Sequence, residues 1–161
     1  MKRFILSLLV LLFVGISGKA GAQQTKVDSL YRVYSTATVD TTKINLLLAL
    51  CEAYEMNRVK GLGFAREALE LSERIRFNKG ICIANQLIGD YQYSQLNYAA
   101  ALKNYLKAAI AGENEKMYSE LSSIYNGMGM IYSNQKKNDL SLKYFLKVAV
   151  NAEMQKNTKR I

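Results

Sequence analysis

Histidine is absent from the 161-residue chain, and so are proline and tryptophan. Without histidine there can be no Ser-His-Asp or Cys-His nucleophile and no His-held metal, and the commonest general acid/base near neutral pH is gone. Carboxylate and lysine chemistry remain open. The Asp and Glu residues, however, are scattered over helix-surface positions rather than paired in an apolar setting that would shift their pKa values. No catalytic residue, cofactor or metal site is therefore expected. The lack of proline, with abundant Ala, Leu, Lys and Glu, argues against a β-sandwich with frequent turns and for long helices. Half of the residues are hydrophobic, enough to bury a core in one domain. The expected class is all-α.

Long apolar runs are also scarce, with one exception at the start. Met1-Lys2-Arg3 is followed by an apolar stretch from Phe4 to Ile16, broken by Ser7 and Gly15, and then by Ala20-Gly21-Ala22. Positive start, short apolar centre and A-x-A site together predict a secretory signal peptide over residues 1–22, cleaved after Ala22. The stretch is shorter than the roughly 20 residues a helix needs to span a bilayer. The mature chain is thus expected to be exported, periplasmic or secreted. Cleavage removes Lys2, Arg3 and Lys19 and no acid, so the formal charge of +9 falls by three. The remaining basic residues are dispersed, with Lys136-Lys137 and Lys159-Arg160 the close pairs of the mature chain. That pattern reads as a solvated surface and gives no nucleic-acid partner.

Aligning the chain with itself at an offset of 40 superposes three segments, the signature of a stacked repeat. Ala49, Gly89 and Gly129 fall in one column, Leu62, Leu102 and Leu142 in another, then Ala65, Tyr105 and Phe145, then Ala68, Ala108 and Val148. Leu48, Ile88 and Met128 form a further apolar column, and Glu73, Glu113 and Glu153 a polar one. Within each unit the apolar residues recur at three and four, so each unit is a pair of helices. First helices are expected at about 41–56, 81–95 and 117–134, and second helices at about 59–77, 98–113 and 138–156. The breaks within units hold Asn57-Arg58, Leu96-Asn97 and Lys136-Lys137-Asn138; those between units hold Asn78-Lys79-Gly80 and the stretch from Gly112 to Asn114. Asp40 fits an N-cap and Gly80 a left-handed C-cap. A glycine inside a helix costs about 1 kcal/mol against alanine. Two at one repeat position imply that packing needs the space, with Tyr105 and Phe145 as the large groups beside them.

Tyr125, Met128-Gly129, Tyr132, Ser141, Phe145 and Val148 in the third unit resemble the tetratricopeptide repeat, as do Ile88-Gly89, Ala101, Tyr105 and Ala108 in the second. The resemblance covers about residues 42–161. The first unit departs from it, with Ala49 for the glycine and Ala65 for the aromatic, and the terminal proline of the family is missing throughout. The period of 40 also exceeds the family's usual length of about 34, so longer helices are expected. The resemblance implies a right-handed solenoid of three helical hairpins, units 41–80, 81–120 and 121–161. Residues 23–40 form an N-terminal capping segment, in which Val27, Leu30, Tyr31 and Tyr34 share one helix face. The last helix, by contrast, carries Leu142, Phe145, Leu146 and Ala149 with no cover, although solenoids need polar caps.

Two cysteines are few for an exported protein. The repeat equivalent of Cys51 is Tyr91, nine residues beyond Cys82. At helical rise that is an offset of about 13 Å, beyond the roughly 7 Å limit between the Cα atoms of a disulfide. Free thiols are expected.

In a solenoid the concave side is lined by first helices and does the binding. Residues that the packing columns leave free there are Gln86, Asp90 and Tyr93 in the second unit and Asn126, Met130 and Ser133 in the third. Amides, a carboxylate, an aromatic and a methionine suit hydrogen bonding to an extended peptide and covering an apolar side chain. Family members that grip a peptide's terminal carboxylate use basic and Asn residues in this groove; Gln86 and Asp90 do not supply that mode. The eleven tyrosines are expected mainly in helix packing. The expected function is non-catalytic binding of a protein or peptide outside the cytoplasm. Partner classes include a membrane protein and a second copy of the chain, docked through the C-terminal hairpin. The alternative is the amino-terminal sensory region of a larger membrane-bound kinase or transcriptional regulator.

Overall fold

The computed structural model describes residues 24–38, 40–54 and 57–158. The expected export signal, the cleavage site and the Lys159-Arg160 pair lie outside the described residues. Among those residues the chain forms seven helices and no strand: α1 (24–36), α2 (Thr41–Ala53), α3 (Arg58–Ile75), α4 (Asn78–Ser94), α5 (Tyr98–Asn114), α6 (Tyr118–Asn134) and α7 (Asn138–Thr158). None of them is long and apolar enough to cross a membrane.

The turns explain why the helices stop where they do. Arg76, Leu96, Lys116 and Lys136 all adopt the left-handed conformation, with φ of 56°, 57°, 54° and 59°. They stand twenty positions apart. In each turn the following N–H reaches back to a carbonyl of the last helical turn: Phe77 to Ser72 at 2.8 Å, and Asn97, Met117 and Lys137 to Gln92, Gly112 and Tyr132 at 2.9 Å. This bonding satisfies carbonyls that a helix end otherwise leaves open. The next helix starts at once. Asn57 and Asn97 accept from the N–H groups of Lys60 (3.1 Å) and Ala100 (3.3 Å) as N-caps of α3 and α5. Phe77 and Met117 stand at the same place before α4 and α6 without a side-chain cap, and instead pack on the core. Caps and apolar anchors thus alternate, which doubles the twenty-residue spacing into the repeat of 40.

Glycine is the usual residue in such a turn, and here four larger side chains occupy it. An L-residue in this conformation carries strain of about 1–2 kcal/mol. Leu96 is 72% exposed, so its side chain supplies no packing in compensation. Leu96→Gly is expected to raise stability by about 0.5–1 kcal/mol, the relieved strain less the entropy of a freer unfolded chain. A rise in the thermal midpoint checks it; an unchanged or lower midpoint would show that the turn is not strained.

Two expected breaks are corrected by these turns. Asn78, Lys79 and Gly80 are the first residues of α4, and Gly112 to Asn114 are the last of α5. Gly80 is no left-handed C-cap: Arg76 takes that role, and no described glycine has positive φ. Gly80 is instead buried where α4 meets α2 and α3, and a Cβ there would lie 2.2 Å from Ser72 Oγ and 3.0 Å from Ile44 Cγ2. Asp40 does cap α2, its carboxylate accepting from Thr42 N at 2.8 Å and Lys43 N at 3.3 Å.

Each helix from α2 to α7 packs on the next in the chain, and the alternate pairs α2–α4 and α4–α6 also touch. One core gathers Ile44, Leu47, Leu48, Ala68, Leu71 and Ala84 between the first hairpin and α4. The other is built around Tyr105, Ala108, Leu121, Ile124 and Met128. Tyr105 is 1% exposed and its ring lies between two glycines: Cβ atoms at Gly89 and Gly127 would each come within 2.8 Å of it. Phe145 stands against Gly129 in the same way. Helix α1 covers the first hairpin. Val27 is buried, Tyr31 meets the Phe64 ring edge-on at 5.8 Å, and Tyr34 donates to Glu67 at 2.7 Å.

At the other end α7 is open. Leu142 is 60% and Phe145 39% exposed, where their equivalents Leu102 and Tyr105 are covered by neighbours. Leu146 does not belong to this end face, although the repeat places it there. Its equivalent Leu106 is also exposed on α5, a helix with neighbours on both sides, so both leucines lie on an outer surface.

Candidate functional site

Residues 86, 90 and 93 of α4, and 126, 130 and 133 of α6, follow the i, i+4, i+7 spacing of one helix face. Asp90, Asn126, Met130 and Ser133 are exposed; Gln86 and Tyr93 are half-buried. Asn126 Nδ2 approaches Met130 Sδ at 3.6 Å, and Met130 is 41% open to solvent. Tyr93 leans on Tyr98, ring centres 5.8 Å apart. Asn134 of α6 reaches across to Tyr98 Oη at 3.2 Å and Tyr93 Oη at 3.5 Å. Tyr93 is therefore tied into the α4–α6 contact, while Asn126, Met130 and Ser133 stay exposed. The Gln86 side chain makes no hydrogen bond among the described residues.

Asp90 differs from the other five. It accepts a 2.6 Å hydrogen bond from the buried Tyr105 hydroxyl, which links this surface to the core. Although much of its residue surface is open, neighbouring groups crowd the carboxyl, and that desolvation raises its pKa against the opposing pull of the Tyr105 hydrogen bond and the Arg58 charge. Asp90 also lines a cavity of about 330 Å3 between the first hairpin and α4, together with Glu52, Tyr54, Arg58, Leu62 and Leu87. Leu62 stands in a repeat column and Arg58 in an expected break, but nothing in the sequence marks them, Glu52, Tyr54 or Leu87 as one site, because the cavity gathers them from separate helices and no local motif joins them.

No protein-family model, curated protein or solved structure matches this chain.

A larger groove of about 630 Å3 opens on the outer side, where Leu142, Leu146 and Val150 of α7 flank Tyr125 and Glu113. The Tyr125 hydroxyl donates to Glu113. Lys147 sits 4.4 Å above the Tyr125 ring and 3.8 Å from the Glu113 carboxylate. Burial and the Glu113 partner both push the Tyr125 pKa up. The repeat-equivalent groove, about 260 Å3, has Glu73, Lys107 and Ile110 around Asn85. Asn85 donates to Ile81 O at 2.9 Å, while its buried Oδ1 has no partner among the described residues.

Among the described residues no group of three Cys, Asp or Glu side chains is placed to hold a metal ion. Both cysteines are unpaired. Burial pushes the Cys51 thiol up to about 11 and the Cys82 thiol up to about 12, with Glu52 and Glu120 respectively adding to it. Thiols held so far from ionisation are poor nucleophiles. With Ellman's reagent at mildly alkaline pH, half-buried Cys51 is expected to react slowly and Cys82 only after unfolding; native Cys82 reacting as fast as in denaturant would contradict the packing. The raised values also set the sign of an alkaline effect. Below the unfolded thiol's value near 9 both states are neutral and nothing is lost. As pH rises from there through about 11–12, the unfolded chain ionises first and stability falls.

Proposed function

We propose that the chain is a non-catalytic scaffold of the tetratricopeptide type: a right-handed solenoid of the hairpins α2–α3, α4–α5 and α6–α7, capped by α1. It is exported behind the signal over residues 1–22. Its partner is a protein or an extended peptide, laid across the first helices α4 and α6. The recurrence of one turn geometry at Arg76, Leu96, Lys116 and Lys136 supports the stacked arrangement, as do the α2–α4 and α4–α6 contacts.

The observation that carries the binding role is the exposed row of Asn126, Met130 and Ser133. A flexible thioether open to solvent beside an amide and a hydroxyl offers an adaptable apolar contact next to hydrogen-bonding groups. Selection of peptides from a random display library on the full chain tests it. Enriched peptides are expected to lose at least about tenfold in affinity, roughly 1.4 kcal/mol, on Met130→Lys and on Asn126→Ala. Equal binding to wild type and both variants would sink the assignment. Amino-terminal sequencing of the protein recovered outside the cytoplasm is expected to begin at Gln23.

A further inference from the structure

Among the described residues the cavity between the first hairpin and α4 is lined by three charged side chains. Glu52 comes from α2, Arg58 opens α3, and Asp90 stands on α4. No ion pair joins Arg58 to either acid among the described residues, although its charge is felt at Asp90. The Asp90 carboxyl, crowded by its neighbours, has a single hydrogen-bond donor among the described residues, Tyr105. A carboxylate so placed gains from an added cation. Arg58, exposed and without an ion-pair partner among the described residues, presents a planar fork suited to a carboxylate. Leu62 and Leu87 supply the apolar wall. Gly61 lets α3 pack closely on α2, since a Cβ there would lie 3.0 Å from Cys51 O.

Size decides what fits. A volume of about 330 Å3 stands at the small end of ligand pockets, roughly 300–1,000 Å3, which suits a molecule the size of one residue. Two acids facing one base call for a ligand that carries both signs close together. We propose that this cavity binds a free α-amino acid, its ammonium held by Asp90 and Glu52, its carboxylate by Arg58, and its apolar side chain against Leu62 and Leu87.

The test uses the full chain and L-leucine as the probe, followed by amide chemical shifts and calorimetry, with circular dichroism confirming the fold of each variant. Leucine is expected to shift amides within 51–54, 58–62 and 87–91. N-acetyl-leucine and leucine amide, each lacking one charge, are expected to bind at least about tenfold more weakly. Arg58→Gln removes the preference for leucine over its amide, and Asp90→Asn removes the preference over N-acetyl-leucine; a merely structural role would weaken all three ligands alike. No shift in these segments, or an amide that binds as tightly as leucine, overturns the proposal. It does not rest on the peptide groove. Absent leucine binding with peptide capture intact removes this site alone, and leucine binding with peptides indifferent to Met130 and Asn126 removes the groove alone.

Discussion

Replacing Tyr105 by Ala is expected to lower the unfolding free energy by about 3–5 kcal/mol, the range for deleting a buried aromatic ring. In a chain of this length that corresponds to roughly 10–15 °C in thermal midpoint. The ring is the contact through which α4, α5 and α6 meet, since it fills the space above Gly89 on one helix and Gly127 on the next. Tyr105→Phe keeps the ring and removes the hydroxyl that donates to Asp90, so about 1–2 kcal/mol is expected, the low side for a bond to a group partly open to water. Glycine substitution gives the sharper test. Gly127→Ala alone forces a methyl against the Tyr105 ring and is expected to cost about 1–3 kcal/mol. In the Tyr105→Ala background the obstruction is gone, and the better helix propensity of alanine then adds up to about 1 kcal/mol. The sign of one substitution thus reverses with the size of a side chain on another helix. Equal costs in both backgrounds, measured by denaturant unfolding, would mean that Tyr105 does not bear on Gly127.

The Gly89–Tyr105 and Gly129–Phe145 contacts were legible in the sequence because both partners recur at an offset of 40. Gly127 was not, since its equivalents are Leu87 and Leu47 and no column marks it. Helix ends were legible only where polar residues cluster. Asn57, Asn97 and Lys136 lie in such clusters and were placed correctly. Lys116 falls between the expected helices 98–113 and 117–134, as observed, but Arg76 is an ordinary helix former in the left-handed conformation, and glycine chemistry pointed instead to Gly80, which is buried in α4. The amide, Met and Ser row on α4 and α6 follows from helical spacing alone. The cavity around Asp90 does not, because Glu52, Arg58 and Asp90 are brought together only by the way the first hairpin docks on α4.

That docking turns on Gly80, and Gly80→Ala is expected to cost about 3 kcal/mol, the upper end for forcing a methyl into a packed site. The added Cβ would sit 2.2 Å from Ser72 Oγ, 2.7 Å from Phe77 Cδ1 and 3.0 Å from Ile44 Cγ2. Ser72 cannot swing away freely, because its hydroxyl is buried and donates to Ala68 O at 2.6 Å. Ser72→Ala alone loses a hydrogen bond within one helix, about 0.5–1 kcal/mol. Combined with Gly80→Ala it removes the nearest obstruction and is expected to recover about half of the loss, a coupling typical of residues in contact. The strain falls between the first hairpin and α4, so faster amide exchange is expected in α2 and α3 while α5 and α6 keep their protection. The cavity formed by Glu52, Arg58 and Asp90 spans the same junction, so Gly80→Ala should also weaken leucine binding without altering any residue that lines the cavity. Wild-type stability in Gly80→Ala would mean that α4 can move off α3 at little cost, and the three charges would then have no fixed spacing to offer a ligand.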